Sequence, residues 1–511
     1  MKKNSKLLFL ILVIIVSLPS IIGLLHLGFP STDDGNWMVI RFSAFFENLR
    51  NGQFPVRFLT RLNYGFGYPV ADFLYPLFMY IGVPIHILGF SFVNTIKILF
   101  ALSMIFSSVF SYLWLSKRFD NVSSLVGSAA YTFFPYHLFD LYQRGSLGEV
   151  LALSIVPFVL WQAERKNFLF TGLGIALLIT AHNSLAFIFL PFIFLYMLII
   201  NNNVINLLKT FILGFGLSAF FWLPALYDKQ FTVFDKTGVS DFSNYFISIK
   251  DLDILGVIFF AVVAFSIVLF TRNKDKLSGF FLISTLLLTI LVFPLSSFIW
   301  KYLPFVSFIQ FPFRLISFIM LGLSFLLSYQ LNLFKGRVKI IFTIFYLVLI
   351  IFSAKDFILP KNYQNYPDSF YSTNQDTTTV KNEYMPKWVK QNPTTMPSEK
   401  ITVLKGQGTV RDLFTNGNKV TFFINALNEV QVQFNTVYFP GWKVRVDGKE
   451  IPISYNNDNG LIRFLINPGN HNVNISFGET PLRMFSDLIS LVSLITFFVL
   501  VIKDRKLLFK L

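Results

Sequence analysis

Cysteine is absent from all 511 residues. No disulfide, thiolate metal site or cysteine nucleophile is therefore available, and any part of the chain outside a membrane must be held by packing alone. Histidine is sparse, with five residues and no two at metal-ligand spacing. No stretch matches a P-loop, an HExxH helix or a GxSxG elbow, which removes the commonest soluble-enzyme chemistries. Solenoid-type repeats are missing too.

What is present is hydrophobicity. The chain is 54% apolar with 65 Phe and only 14% charged, at a mean hydropathy of +0.60, more than a water-facing surface tolerates. It reads as a polytopic α-helical membrane protein. The net charge of +16 comes from basic residues at the ends of apolar runs, as membrane orientation requires, so the partner it implies is the lipid bilayer and not nucleic acid.

With about 20 residues per crossing, apolar runs fall at 7–25, 95–115, 122–140, 148–163, 168–181, 185–200, 205–226, 252–270, 277–299, 314–332, 340–358 and 482–502. The first follows Lys2, Lys3 and Lys6 like a signal peptide, but it is long and lacks a small-x-small cleavage site, so a retained anchor is expected. With the N-terminus inside, alternation places Lys117-Arg118, Arg165-Lys166, Lys209, Arg272/Lys274/Lys276, Lys335/Arg337/Lys339 and the tail Lys503/Arg505/Lys506/Lys510 in the cytoplasm. A further run, 73–92, would reverse every later cluster if it crossed. Its Pro76, Gly82, Pro84 and Gly89 suggest an interfacial or re-entrant piece, giving about 12–13 membrane helices in all.

The same parity puts 26–94, 141–147, 182–184, 227–251, 300–313 and 359–481 outside. The last region alternates apolar and polar residues between Gly/Asn/Asp turns, with Val446-Asp447-Gly448-Lys449 a hairpin signal. The organisation expected is a transmembrane domain over 1–358 with a large first outer loop at 26–94. An extracytoplasmic β-sandwich follows over 359–481, then a final membrane helix and basic tail over 482–511.

Four polar groups lie on the outer side. The first is Asp33/Asp34 with Arg41, Arg50, Arg57 and Arg61. If an amphipathic helix on the membrane surface follows Gly35, then Asp34 and Arg41, seven residues apart, share a face. Ser31, Thr32, Asp33 or Asp34 could equally cap that helix. The second is Tyr136, His137, Asp140, Arg144 and Glu149, where Arg-Gly-x-x-Gly-Glu sets a carboxylate in the first turn of a helix. The third is His182 in AHNS, a structural histidine or a substrate contact. The fourth is Gln310 and Arg314 near Pro304 and Pro312, where the arginine is a snorkelling anchor or a bidentate grip on phosphate. Their common side implies one polar vestibule over an apolar bundle. No cofactor is certain; a divalent metal ion on oxygen ligands of Asp33, Asp34 and Glu149 is one option. In the β region Tyr438, Trp442 and Tyr455 are either core aromatics or sugar-stacking rings.

An acid just after the first span, then GQFPVRF, NYGFGYPVADFLYPL, YQRGSLGE, AHN, FWLPAL, IQFPFR, EYMPKW, YFPGWKVRVDGKEIPI and GLIRFLINPGNHNV, together resemble the YfhO-type, 6-pyruvoyl-tetrahydropterin-synthase-related bacterial membrane proteins. That family is similar to the GT-C glycosyltransferases. The resemblance implies a GT-C-like transmembrane domain in the cytoplasmic membrane and a polyprenyl-phosphate-linked sugar donor. It implies a glycan, lipid or cell-wall acceptor in the cell envelope, Asp34 or Asp33 as base, Glu149 as second acid, and Arg314 at the donor phosphate. Arg41, Arg57, Arg144, His137, His182 and Gln310 are the remaining candidate substrate contacts. Met38 departs from the pattern, since members often carry histidine four residues after the first-loop aspartate. Two other classes stand beside this one: a transporter or flippase of lipid-linked saccharides, and a non-catalytic membrane scaffold.

A cysteine-free chain lets single introduced thiols report the threading. Lys449→Cys should react with a membrane-impermeant maleimide on intact cells and Lys274→Cys only after permeabilisation; the reverse pattern overturns it.

Overall fold

A computed structural model describes residues 2–201, 203–234, 242–302, 306–377 and 382–503. Pro304 and the tail residues Arg505, Lys506 and Lys510 lie outside that set, as do the side chains of Lys2 and Lys3. The chain is a polytopic helical membrane protein with a β-sheet region near its C-terminal end and a final apolar helix. Each of the twelve apolar runs carries helix. Among the described residues seven helices are long and apolar enough to cross a bilayer: Lys6–Leu25, Phe92–Leu115, Leu147–Glu164, Asn183–Ile200, Pro312–Leu333, Gly336–Ala354 and Pro481–Lys503.

The other runs depart from straight rods for local reasons. Val204–Leu217 meets Ala219–Phe231 at 69°, and Lys276–Leu291 meets Pro294–Tyr302 at 84°. At the first break Ser218 returns its hydroxyl to the Gly214 carbonyl at 2.8 Å, a bond that competes with the helix ladder; at the second, Pro294 has no N–H to continue it. The run 122–140 is helical only over Asn121–Thr132, then restarts as Pro135–Phe139. Phe134, preceding a proline, is held extended at φ −59°, ψ 133°. Leu77–Ile87, inside 73–92, has 11 residues, about 16 Å of rise and roughly half a hydrocarbon core.

Small residues let the helices approach closely. A Cβ on Gly172 would stand 3.0 Å from the Thr210 carbonyl oxygen, and one on Gly214 3.0 Å from that of Gly172. Phe168–Ala181 and Val204–Leu217 therefore meet backbone to backbone, the usual solution where lipid supplies no hydrophobic drive between helices.

The helix Gly35–Arg50 is not the surface-lying amphipathic helix expected. Met38 to Phe45 are buried all round, because the helix runs beneath the later chain: the Ser43 hydroxyl donates to the Tyr371 carbonyl at 2.9 Å, and Phe42 meets Phe92 edge-on at 5.7 Å.

The β region forms two facing sheets. β1 (Phe29–Pro30) and β2 (Tyr363–Gln364) make a small pair that ties the first outer loop to the chain after the bundle. β3 (Ile401–Lys405), β6 (Val430–Val437) and β9 (Leu461–Ile466) form one sheet in the order β3-β6-β9. β4 (Gly408–Asn416), β5 (Lys419–Ala426), β7 (Trp442–Val446), β8 (Lys449–Ile451) and β10 (Gly469–Phe477) form the other, in the order β4-β5-β10-β7-β8. Asp447 and Gly448 turn β7 into β8 with φ of +49° and +80°, the left-handed geometry of a tight hairpin. Alternate residues, among them Val420, Phe422, Ile424, Val432, Phe434, Val473 and Ile475, fill the space between the sheets. Trp442 belongs to that core. Tyr438 and Tyr455, both half-buried, stack one face each on the other, parallel at 4.1 Å.

The core between the sheets is completed by the first outer loop. Phe58 sits in it at 5.6 Å from Trp442 and 5.3 Å from Phe477, and the Val437 N–H donates to the Phe66 carbonyl at 2.8 Å. Beneath lies a buried ion cluster. Arg57 reaches Asp72 at 3.4 Å, Glu479 at 3.2 Å and Asp487 at 3.0 Å. Arg483 reaches Asp228 at 2.8 Å, Asp72 at 3.5 Å and the Pro440 carbonyl at 2.9 Å. Loop, bundle, β region and last helix are thus joined by two arginines.

Replacing Arg483 by Met takes from Asp228 the cation it pairs with and leaves Asp72 to Arg57, a change that costs about 3–5 kcal/mol at a buried pair. A clearly lower thermal midpoint in detergent, with faster proteolysis in the β region, is expected; wild-type stability would contradict the role given to the cluster.

Candidate active site at one end of the bundle

The first loop is pinned residue by residue before it becomes a helix. The Ser31 N–H donates to the Asn362 carbonyl at 2.9 Å, Asp33 to Gln143 at 3.0 Å and Asp34 to Arg144 at 2.7 Å. The Gly35 N–H donates to Thr32 Oγ1 at 3.1 Å. Thr32 therefore supplies the side-chain cap, and Asp34, though it stands at the N-cap position, makes no capping bond. Its carboxylate is 43% exposed and lies 4.0 Å from Arg144 Nη2. Asp33 beside it is held above the usual carboxylate range by partial burial and by Asp34, with Arg144 pulling the other way.

The glycines of YQRGSLGE explain how these parts come together. Gly145 takes φ +65°, and a Cβ there would stand 2.2 Å from Thr32 Oγ1; a Cβ on Gly148 would stand 2.1 Å from the Tyr75 ring. Only glycine permits both approaches.

Glu149 is the centre of the arrangement. It is fully buried in the first turn of Leu147–Glu164, where its Oε1 accepts from Arg144 Nη1 at 2.6 Å and Arg314 Nε at 2.9 Å. Its Oε2 accepts from the Tyr136 hydroxyl at 3.2 Å. Arg144 Nη1 also reaches Asp140 at 2.8 Å, and that guanidinium lies over Phe313 at 5.3 Å. Arg314 Nη1 is held by Gln310 Oε1 at 2.5 Å, the Ile309 carbonyl at 3.0 Å and Ser184 at 3.2 Å. A carboxylate bound in this way holds two guanidiniums in place, and their charge opposes its taking up a proton.

His182 completes the wall. Its Nδ1 accepts from the Leu185 N–H at 3.2 Å, so the ring proton sits on Nε2, which faces Glu149 Oε1 at 3.7 Å. Burial outweighs the attraction of Glu149, and the two arginines add to it, so the ring is pushed down to about 3 and stays neutral. Tyr75 packs against it at 4.7 Å.

The structure therefore brings Asp34, Arg144, Glu149, His182, Gln310 and Arg314 to one place. Arg41 is buried on the same side, where it acts on Tyr75 and on Glu383. Two candidates lie elsewhere. Arg57 is committed to the ion cluster under the β region, and His137 Nδ1 faces the Tyr131 carbonyl at 3.2 Å. The three carboxylates named as metal ligands do not converge, since Arg144 stands between Asp34 and Glu149. Among the described residues no group of three His, Asp or Glu side chains is placed to hold an ion.

Sequence reasoning named Thr32 only as one of four possible caps and passed over Tyr75 and Ser184, whose roles depend on contacts between distant segments. It also passed over Glu383, which stood in the quoted EYMPKW without a role.

No family model matches the chain. A Lactococcus lactis subsp. cremoris (strain MG1363) protein described as uncharacterized is 26% identical over 261 residues, covering 47% of this chain and 42% of that one. Among solved structures, arabinofuranosyltransferase AftD from Mycobacteria aligns with a TM-score of 0.42 at 15% identity, over 72% of this chain and 28% of that one. The Archaeoglobus fulgidus oligosaccharyltransferase aligns with a TM-score of 0.45 at 14% identity, over 78% and 61%. This chain spans less than two thirds of the length of each, and likeness at this level says nothing of chemistry.

His182 gives the site a pH signature. The unfolded chain takes up a proton near 6.5 while the folded one refuses it down to about 3, so stability is lost as pH falls through that window. His182→Asn keeps a capping oxygen; its thermal midpoint should fall less between pH 6.5 and 4 than that of the wild type. Parallel curves would contradict a buried neutral histidine.

Proposed function

We propose that this chain is a membrane glycosyltransferase that moves a sugar from a polyprenyl-phosphate donor to a glycan, lipid or wall-polymer acceptor outside the cytoplasmic membrane. The termini would lie inside and the β region outside. The observation that carries the reading is the contrast between two carboxylates 4.0 Å and 2.6 Å from the same arginine, Asp34 and Glu149. Glu149 is consumed by cations, whereas Asp34 is half-exposed at a helix start and makes no cap. The ordered motifs that resemble the YfhO-type and GT-C proteins support the same assignment.

In the reaction the acceptor oxygen bonds to the anomeric carbon while the bond from that carbon to the phosphate oxygen breaks with its electron pair. The acceptor proton passes to the Asp34 carboxylate. Attack opposite the departing phosphate inverts the anomeric centre. Arg41 and Arg314, with Arg144 behind them, offset the charge that develops on the phosphate. Glu149 acts by holding Arg144 and Arg314, Gln310 by holding Arg314, and His182 faces Glu149; the lipid tail lies among the apolar helices. Asp33, exposed and next in sequence, is the reserve candidate for the base.

Asp34→Asn, in protein that inserts and melts as the wild type does, should lower sugar transfer by about 10²-fold or more, the usual scale for losing a general base. Asp33→Asn should retain most of it. Full transfer in the Asp34 variant sinks the assignment, and loss confined to the Asp33 variant moves the base one residue.

A further inference from the structure

The outer end of the bundle holds one more carboxylate, and it comes from the segment leading into the β region. Glu383 is half-buried, and its neighbours are fixed on both sides. The Tyr384 N–H donates to the Tyr68 hydroxyl at 3.0 Å, and the Tyr384 ring lies parallel to Phe73 at 5.1 Å. The Phe73 carbonyl accepts from Asn183 at 3.1 Å, one residue beyond His182. On the other side Val233 donates to the Met385 carbonyl at 2.9 Å, and Lys387 to that of Phe231 at 2.9 Å. Farther along, the Trp388 indole N–H donates to the Tyr438 carbonyl at 2.9 Å. Residues 383–388 thus bridge the vestibule wall and the β region.

The charges that act on Glu383 are those of the site: Arg41 and Arg314 favour its ionised form and Asp34 opposes it. Among the described residues Glu383 makes no ion pair, unlike Asp140, which pairs with Arg144, and Glu149, which pairs with Arg144 and Arg314. Burial raises it above the ordinary carboxylate range, with Arg41 working against that rise. A carboxylate mounted on a fixed segment, hydrogen-bonded by Tyr384 and within the field of Arg41 and Asp34, keeps further acceptor positions and is suited to accept hydrogen bonds from sugar hydroxyls.

We propose that Glu383 is an acceptor-binding residue, its carboxylate accepting hydrogen bonds from hydroxyls of a glycan that enters from the β-region side and presents its nucleophilic hydroxyl to Asp34. This rests on the glycosyltransferase reading and adds to it which acid binds the acceptor and from which side the acceptor arrives. The donor, held at Arg41 and Arg314, does not need Glu383.

The experiment uses the full-length protein in nanodiscs, a panel of polyprenyl-phosphate monosaccharides as donors and alkyl glycosides as acceptor probes. Wild type, Glu383→Gln, Glu383→Asp and Asp34→Asn are compared. Glu383→Gln should raise the acceptor KM at least tenfold and leave the donor KM within twofold, with Glu383→Asp recovering part of the loss. An unchanged acceptor KM in an active Glu383→Gln protein overturns the inference, as does a rise shared equally by donor and acceptor. A thermal midpoint lowered in Glu383→Gln assigns the residue to structure and overturns it as well. If wild type makes no glycoside with any pair, the glycosyltransferase reading itself fails, and this inference with it.

Discussion

The structure is organised around a buried negative charge. Glu149 sits in the first turn of an apolar helix with no exposure to water, where an unpaired carboxylate would cost several kcal/mol even after relaxation. Arg144, from the turn just before, and Arg314, from the start of a helix 165 positions later, remove that cost. Each arginine needs further oxygen partners, which Asp140, Gln310, Ser184 and the Ile309 carbonyl provide. The chain is thereby required to bring three separate segments to one point at the edge of the bundle. The first outer loop then locks onto the same point through the carbonyls of Gln143 and Arg144.

That loop is what links the chemistry to the β region. Its early part presents Asp34, its middle sends Phe58 into the core between the sheets, and its end carries Asp72 into a cluster shared with Arg57, Asp228 and Arg483. The β region does not hang from the bundle by a linker. It is seated on the same loop that carries Asp34. The segment 383–388 is the other side of that seat.

Much of this was legible in the sequence because membranes constrain chains strongly. Twelve apolar runs, basic residues at alternate ends, and period-two alternation between turn residues anticipated the helices and strands. Side-chain identity plus common side likewise grouped Asp34, Arg144, Glu149, His182 and Arg314. What was not legible depended on three-dimensional competition. Thr32 rather than Asp34 takes the cap because Gly145 lets the 143–145 turn press against it. The helix after Gly35 is buried because the chain beyond 359 folds over it, and Arg57 is drawn from the site by acids at 72, 479 and 487. None of these follows from local pattern, since each is decided by segments hundreds of residues apart.

The central claim is that this outer-face constellation transfers a sugar from a lipid phosphate. Its most direct test is an assay of purified protein with radiolabelled polyprenyl-phosphate sugars and envelope acceptors. The account predicts a labelled glycoside of inverted anomeric configuration. Movement of intact lipid-linked sugar across a liposome membrane with no glycosidic product would contradict it.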